Sequence, residues 1–300
     1  MIMALAVFDI GGTSVKCGRW ENNQLYPVSS FQTPLSWAEL KMQLKNTFNQ
    51  IEKVTGGKLE GAAFSSPGSV YSEEGVVRGF SAVSYLHHFP IRDELETLLG
   101  VPVTLENDAN CAALAETWQG VAKGVDNVVF IVIGTGIGGA IILNGELIKG
   151  RNLFGGEFGY MLLTDTQNFS DLASPVAMAK KYQEENKLLE QISGEKIFQL
   201  ALEGDAIASR YVNDLRNNLA RGIQNLLVAY NPDMVVIGGG MSAQTAFIQS
   251  VEKRVKELLV RTRAQEVDAI IVPCQFQNQA NLIGAVASYY KQIGSKKTPS

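Results

Sequence analysis

Three glycine-rich turns in the sequence could hold one ligand. They read DIGGTSVK at residues 9–16, GTGIGG at 134–139 and GGGM at 238–241, and each follows an apolar run typical of a strand. Adjacent glycines let the backbone approach a ligand closely and leave N–H groups that can bind an anion. Any one of these turns would also suit an ordinary hairpin. Their repetition favours a nucleotide polyphosphate as the ligand that they share.

The first turn differs in spacing from the two common phosphate-binding motifs. A P-loop needs a lysine directly after its second glycine, and the dinucleotide-binding motif needs a helix after its glycines. Here the alternating pattern of a strand resumes after Ser14. We therefore expect a strand hairpin, with either a phosphate-binding turn or an ordinary one.

Asp9 ends the first apolar run, directly ahead of the first turn. A carboxylate beside phosphates is repelled unless a cation or hydrogen-bond donors offset its charge. We therefore expect Asp9 to hold Mg²⁺ together with the nucleotide, directly or through water. The alternative is that Asp9 only braces its own turn by accepting hydrogen bonds from backbone N–H groups.

A second group of polar residues lies where a strand pattern gives way to a helix pattern, in LENDANCAALAE at 105–116. Side chains at such a junction project toward a ligand, although Asp108 would also make an ordinary helix N-cap. Asn107 and Asp108 suit a polyhydroxylated ligand, because an amide and a carboxylate bind neighbouring hydroxyl groups and the carboxylate can accept a proton. We therefore expect Asp108 to be a general base.

The composition limits the functions that need to be considered. With 300 residues, 46% hydrophobic and 19% charged, the chain is long enough for two globular domains. A net charge of −4 without a long basic run argues against nucleic acid as the main ligand. Cys17, Cys111 and Cys274 lie far apart, which fits neither disulfides nor a zinc knuckle. No apolar run reaches the roughly 18 residues of a membrane span and no cleavable leader is evident, so we expect a cytoplasmic protein.

The elements that must position these residues are predicted in two similar halves. Each half opens with an apolar strand, a glycine turn and a second strand, at 3–31 and again at 128–147. We expect a small first domain at 1–110 and a larger second domain at 111–280, with a helix at about 280–300 packing back onto the first. Further predicted elements are helices at 36–53, 91–99, from 108, 205–230, near 242 and 278–291, strands at 61–65, 101–105 and 268–272, and an irregular loop to 89 that holds His87 and His88.

Six motifs occur in order along nearly the whole chain. They are DIGGTSVK, SPG at 66–68, ENDAN at 106–110, GTGIGGAI at 134–141, GGEFGY at 155–160 and VVIGGGM at 235–241. Together they resemble the ROK family of sugar kinases, within the actin-like and hexokinase-like ATPase fold. The resemblance implies an α/β protein of two ribonuclease-H-like domains, with ATP and a sugar in the cleft between them.

The resemblance also implies a role for individual residues. The substrate side comprises Asn107, Asp108 as the catalytic base, Glu157, Ser66, Gly68 and Tyr160. The ATP and Mg²⁺ side comprises Asp9, Gly11, Gly12, Thr13 and Lys16, then Thr135 and Gly136, and finally Gly238, Gly239 and Gly240 near the nucleoside. The expected partners are a small sugar and a second copy of the chain in a homodimer, with neither nucleic acid nor membrane.

The chain departs from most of the family after Glu157. The family continues with a histidine and a cysteine cluster that holds structural zinc, whereas this chain has Tyr160 at the histidine position and neither cysteine nor histidine in 160–182. We therefore expect no zinc and a less constrained reducing end of the sugar. The chain is most similar to zinc-less bacterial β-glucoside kinases, which phosphorylate the 6-hydroxyl of the non-reducing glucose in cellobiose-like disaccharides.

Other functions stay open from the sequence. The chain could be a kinase for glucose or N-acetylmannosamine, with Tyr160 only filling the volume of the missing zinc loop. A sugar-responsive regulator of this family would carry a DNA-binding domain ahead of the core, and we do not expect one because the first strand pattern begins by about Met3. A sugar-binding protein without activity is disfavoured by the presence of both Asp9 and Asp108.

Overall fold

A computed structural model describes residues 4–297, with side chains described for 4–294. The chain forms two compact units: unit 1 runs to Gln119 and resumes at Asn278, and unit 2 is Gly120–Gln277. Each unit contains a five-stranded mixed sheet with helices, which confirms the predicted α/β class. The predicted strand start at Met3 and the end of the predicted terminal helix at 298–300 lie outside the described residues.

The first sheet is built around a fully buried strand. The elements of this part are β1 (Leu5–Ile10), β2 (Ser14–Glu21), β3 (Gln24–Gln32), α1 (Trp37–Thr55), β4 (Gly61–Ser66), β5 (Ser69–Tyr71), β6 (Val76–Arg78), α2 (Ile91–Leu99), β7 (Val103–Asn107) and α3 (Asp108–Trp118). The strand order is β3-β2-β1-β4-β7, antiparallel through the hairpin and parallel from β1 to β7. Because β1 is buried along its whole length, it reads as a continuous apolar run and not as an alternation.

The stretch between β4 and α2 is more regular than the sequence predicts. The predicted irregular loop contains the antiparallel hairpin of β5 and β6. Val70 and Val77 pair across it and both belong to the hydrophobic core. The prediction was wrong here because strands of three residues are too short to show a period of two, and tertiary burial stabilises them instead.

Unit 2 repeats the hairpin and adds most of the helices. Its elements are β8 (Val128–Ile133), β9 (Ile137–Leu143), β10 (Glu146–Leu147), α4 (Phe169–Ala173), α5 (Pro175–Glu185), α6 (Gly194–Leu202), α7 (Ala206–Tyr230), β11 (Met234–Gly238), α8 (Thr245–Arg261) and β12 (Ile271–Pro273). The strand order is β10-β9-β8-β11-β12. The helix predicted near 242 is a 3₁₀ turn at Gly240–Ala243 followed by α8, and the last strand begins three residues later than predicted.

The C-terminal helix α9 (Ala280–Lys297) returns to unit 1. It crosses α3 so closely that a Cβ atom on Gly284 would come within 1.7 Å of the carbonyl oxygen of Cys111. Only a glycine permits this approach of one backbone to the other. Within residues 4–297, none of the helices combines the length and the apolar character needed to cross a membrane.

We predict that Gly284→Ala destabilises the protein, because the added methyl group must push α9 away from α3. Overpacking of this kind costs about 1–3 kcal/mol of unfolding free energy. Gly294→Ala on the same helix is the control, since a Cβ atom there meets open space and alanine favours a helix by up to about 1 kcal/mol over glycine. Thermal melting of both variants tests the prediction, and equal melting temperatures would contradict it.

Candidate active site

Asp9 stands at the end of β1 with its carboxylate almost fully buried, at 5% exposure. Its Oδ1 accepts hydrogen bonds from Ser65 Oγ at 2.8 Å and Asn281 Nδ2 at 3.1 Å, and Lys16 Nζ lies 3.8 Å from Oδ2. These donors come from β4, α9 and β2 and not from backbone N–H groups of its own turn. Donors from three elements therefore offset the charge of Asp9. In the alternative, Asp9 would instead accept hydrogen bonds from the backbone of its own turn.

The first glycine turn is held from β3. Thr33 Oγ1 donates to the carbonyl oxygen of Gly11 at 2.6 Å, and the Gly11 N–H donates to the carbonyl oxygen of Ser14 at 3.0 Å. Gly12 and Thr13 are exposed at the tip. The turn therefore presents backbone and a hydroxyl group to a ligand, while its base is fixed to the sheet.

Asn107 ends β7 and caps α3. It has extended backbone angles, its Oδ1 accepts the N–H of Asn110 at 3.1 Å, and its Nδ2 donates to the carbonyl oxygen of Gly68 at 3.0 Å. The helix begins at Asp108 as predicted, but the N-cap is Asn107 and not Asp108, because Asn107 is the residue whose side chain reaches the third N–H of the helix.

Asp108 occupies the first turn of α3. It is partly buried, and its Oδ1 accepts the N–H of Ala109 at 2.8 Å. A carboxylate is stabilised at this end of a helix by the helix dipole. The structure therefore places Asn107 and Asp108 side by side at the carboxyl end of β7, where β1 and β4 also end in the parallel part of the sheet.

Glu106 and Asn110 are site residues to which sequence reasoning gave no role of their own. Glu106 is 3% exposed, and its Oε1 accepts the N–H of Asn107 at 2.9 Å and the Nδ2 of Asn110 at 3.0 Å. It pairs in register with Ser65, which pairs with Asp9, so three polar residues form one row across the sheet. The signal in the sequence is an acid directly after Leu105, where the strand pattern ends.

The SPG loop lies beside Asn107. The Ser66 hydroxyl is fully buried and donates to the carbonyl oxygen of Pro67 at 3.2 Å, so it shapes the loop from inside. His87 is half-buried behind Gly68, and its Nε2 shares a hydrogen bond of 2.8 Å with Ser81 Oγ. Burial, with the nearby His88 second, lowers the pKa of His87 below its ordinary value. The neighbouring His88 is exposed.

The second and third glycine turns share one edge of the sheet in unit 2. They follow β8 and β11, which are parallel neighbours with Gly238 opposite Val132. Thr135 is exposed at the tip of the second turn, and the Ile137 N–H that follows Gly136 donates to Ser170 Oγ at 2.9 Å. Two glycine turns with exposed residues therefore lie at a common edge of this sheet.

The 3₁₀ turn holds the third glycine turn in place. The backbone N–H of Ser242 donates to the carbonyl oxygen of Gly239 at 3.0 Å, and its Oγ donates to the same oxygen at 2.7 Å. Gly239 and Gly240 are exposed, whereas Gly238 is buried in the strand. Two of the three glycines predicted to bind the cofactor are therefore open to solvent.

Glu157 is held against β9 by the glycines before it. Gly156 has φ +94°, and a Cβ atom there would lie 2.6 Å from the carbonyl oxygen of Gly139 on β9. The N–H of Glu157 donates to the carbonyl oxygen of Phe154, and the N–H of Tyr160 donates to that of Glu157, both at 3.2 Å. Burial raises the pKa of the Glu157 carboxyl above its ordinary value.

Asp9 is the predicted magnesium ligand, and its carboxylate lies directly ahead of the first glycine turn. Magnesium ions that accompany nucleotides use one or two protein carboxylates and complete their coordination with phosphate oxygens and water. The chemistry of Asp9 therefore fits an ion that arrives with the nucleotide. Among the described residues, no group of three or more His, Cys, Asp and Glu side chains is arranged to hold a metal ion.

Comparisons with known proteins agree over almost the whole chain. The sequence model of the ROK family matches residues 5–292. A β-glucoside kinase of Listeria monocytogenes is 32% identical, over 97% of this chain and 98% of the relative. A glucokinase of Thermotoga maritima is 28% identical, over 95% of this chain and 97% of the relative. A solved ROK family protein from Streptococcus pneumoniae in complex with sucrose is 34% identical, with a TM-score of 0.88 over 98% of this chain and 100% of that one.

We predict that Glu157→Gln stabilises the protein at neutral pH and not in acid. Because burial raises the pKa of this carboxyl, the folded state binds the proton more tightly, and stability is lost as the pH rises through that raised pKa. The gain in melting temperature should be present at about pH 8 and should vanish below the ordinary glutamate pKa of about 4.3. Glu190→Gln, at an exposed position, is the control; a gain independent of pH would contradict the prediction.

Proposed function

The chain belongs to the ROK family, and on that basis we propose that it phosphorylates the 6-hydroxyl of the non-reducing glucose of a β-glucoside such as cellobiose. It is an ATP-dependent carbohydrate kinase with the fold of the actin-like ATPases, in the class of phosphotransferases that use an alcohol group as acceptor. The observation that supports this substrate is the exposed aromatic side chain of Tyr160, at the position where the family pattern has a histidine.

Asn107, Asp108 and Glu157 would bind the hexose. In unit 1, three hydrogen bonds hold Asn107: its N–H donates to Glu106 Oε1, its Nδ2 donates to the carbonyl oxygen of Gly68, and its Oδ1 accepts the N–H of Asn110. Its Oδ1 is already the acceptor for α3, so Asn107 presents a fixed amide to a sugar hydroxyl group. In unit 2, the partly buried Glu157 favours a hydroxyl donor, since a hydrogen bond offsets the loss of water around a buried carboxylate.

Asp108 would take the proton in the transfer step. The sugar 6-oxygen forms a bond to the γ-phosphorus, the bond from that phosphorus to the bridging oxygen of ADP breaks, and the hydroxyl proton passes to the Asp108 carboxylate. Phosphoryl transfer relies on positioning and electrostatics more than on covalent chemistry by the protein. The contact of Asp108 with the Ala109 N–H fixes one carboxylate oxygen and so orients the group.

The three glycine turns would hold ATP. In unit 1, Gly11, Gly12, Thr13 and Lys16 face the phosphates, with Lys16 about 40% exposed beside Asp9. In unit 2, Thr135 and Gly136 face the phosphates and 238–240 lies on the nucleoside side. Asp9 would hold Mg²⁺, directly or through water, and the ion supplies positive charge that offsets the phosphates.

Three observations support a β-glucoside. Tyr160 is 63% exposed, which favours a stacking surface over a residue that fills buried volume. The Listeria relative is a β-glucoside kinase, and the Streptococcus structure holds sucrose, a disaccharide. Aromatic faces pack well against the apolar face of a pyranose.

A monosaccharide kinase is the second candidate. The similarity to the Thermotoga relative, a glucokinase at 28% identity, supports glucose as the acceptor, and N-acetylmannosamine is a further candidate acceptor.

For any of these substrates we propose that the enzyme carries no zinc, because 160–182 offers neither thiolate nor imidazole. Stoichiometric zinc in the purified protein would overturn this proposal. We also propose a cytoplasmic homodimer, and its mass by light scattering is the test.

We predict that Asp108→Asn lowers kcat by about 10²–10⁴, the contribution of a general base, and leaves sugar binding intact. Asparagine can still accept the Ala109 N–H through Oδ1, so the fold should be preserved. Asp93→Asn, which also removes a charge from the first turn of a helix, is the control. Turnover of the Asp108 variant within about threefold of the parent would contradict the assignment.

We predict that kcat/KM is higher for cellobiose than for glucose, because a second sugar gains contact with Tyr160. An ATP-coupled assay with glucose, N-acetylmannosamine, cellobiose and gentiobiose measures the ratio, which reports differential binding of the transition state. A preference for glucose by about tenfold or more would overturn the β-glucoside proposal and leave a monosaccharide kinase.

A further inference from the structure

Phe154 and Tyr160 form an aromatic pair on the surface of unit 2. Their ring centroids lie 5.5 Å apart with an angle of 47° between the planes. Phe154 is 59% exposed and Tyr160 63% exposed. Exposed aromatic rings in contact with each other present a broad apolar surface that water solvates poorly, which is typical of a binding site.

The backbone beneath the pair is fixed. The N–H of Gly155 donates to the carbonyl oxygen of Lys149 at 2.8 Å, and Leu153 adopts φ +56° to enter this turn. Phe158, which lies between the two residues in the sequence, is buried in the core. The exposed rings therefore stand on a turn that is anchored on both sides, so a ligand need not order the segment when it binds.

Glu157 lies on the same turn. Its backbone N–H bonds to the Phe154 carbonyl oxygen, and its own carbonyl oxygen accepts the N–H of Tyr160. A partly buried carboxyl and two exposed rings are thus displayed by seven consecutive residues, 154–160. A sugar bound at Glu157, as proposed, would therefore lie on the same turn as the aromatic pair.

We infer that Phe154, together with Tyr160, forms the subsite for the aglycone of a β-glucoside, and that Phe154 is a specificity-determining residue. This inference rests on the proposed function, and it narrows the substrates to glucosides whose β-linked group is a ring with an apolar face. A second pyranose and a phenyl group share that chemistry. Methyl β-glucoside has the same linkage without a ring and should gain nothing from the pair.

The test compares kcat/KM for cellobiose, phenyl β-glucoside and methyl β-glucoside in the parent, Phe154→Ala, Phe154→Leu and Phe154→Trp. Phe154→Ala should lower the ratio of either ring-bearing glucoside to methyl β-glucoside by about three- to tenfold, the range for loss of one aromatic contact. Phe154→Leu keeps apolar volume without an aromatic face and should lower the ratio less, and Phe154→Trp should restore it. Leu189→Ala, at a fully exposed apolar position, is the control and should leave the ratios unchanged.

Each outcome decides the inference. A fall for phenyl β-glucoside alone, for cellobiose alone or for both supports the subsite and identifies the ring that it takes. Unchanged ratios for both substrates in Phe154→Ala would overturn it, provided that the melting temperature shows a folded variant; Phe154→Leu gives the same decision if the alanine variant does not fold. The proposed function fails separately, on the ratio of cellobiose to glucose in the parent enzyme.

Discussion

The buried carboxylate of Asp9 is the constraint on which unit 1 depends. An ionised group removed from water is unfavourable unless donors replace the lost hydration. Ser65 from β4, Asn281 from α9 and Lys16 from β2 supply those donors. The bond from Asn281 joins residues 272 positions apart, so the site is complete only when the end of the chain has returned to the first sheet. The close crossing of α9 over α3 at Gly284 makes that return possible.

A second buried acid extends the same row of the sheet. Glu106 lies two strands from Asp9 with Ser65 between them in register, and it binds the backbone of Asn107 and the side chain of Asn110. Both acids are held by neutral or cationic donors that also orient the proposed catalytic residues. Glu106 therefore lies in the interior of unit 1 and also contacts Asn107, one of the predicted site residues.

Unit 2 meets a different constraint, which is the close approach of a turn to β9. That approach at Gly156 places Glu157 in a partly buried position where desolvation raises its pKa. It also displays Phe154 and Tyr160 on the surface. The partly buried carboxyl group and the exposed aromatic pair therefore lie on one turn, whose position depends on Gly156.

The sequence by itself determined the two hairpins, the helices at 36–53, 91–99 and 205–230, and the family, because these follow from local periodicity, from glycine turns and from motifs in order. It also identified Asp9, Asn107 and Asp108 as polar residues at the ends of elements, and it identified Glu157 from the family motif alone. Only the tertiary structure decided which groups these residues contact. Strand register, burial and the approach of distant backbone segments set these contacts. They include the partners Asn281 and Ser65 of Asp9, the cap at Asn107, the hairpin of β5 and β6 and the pairing of Phe154 with Tyr160. Local periodicity carries no information about distances between segments that are far apart in the sequence.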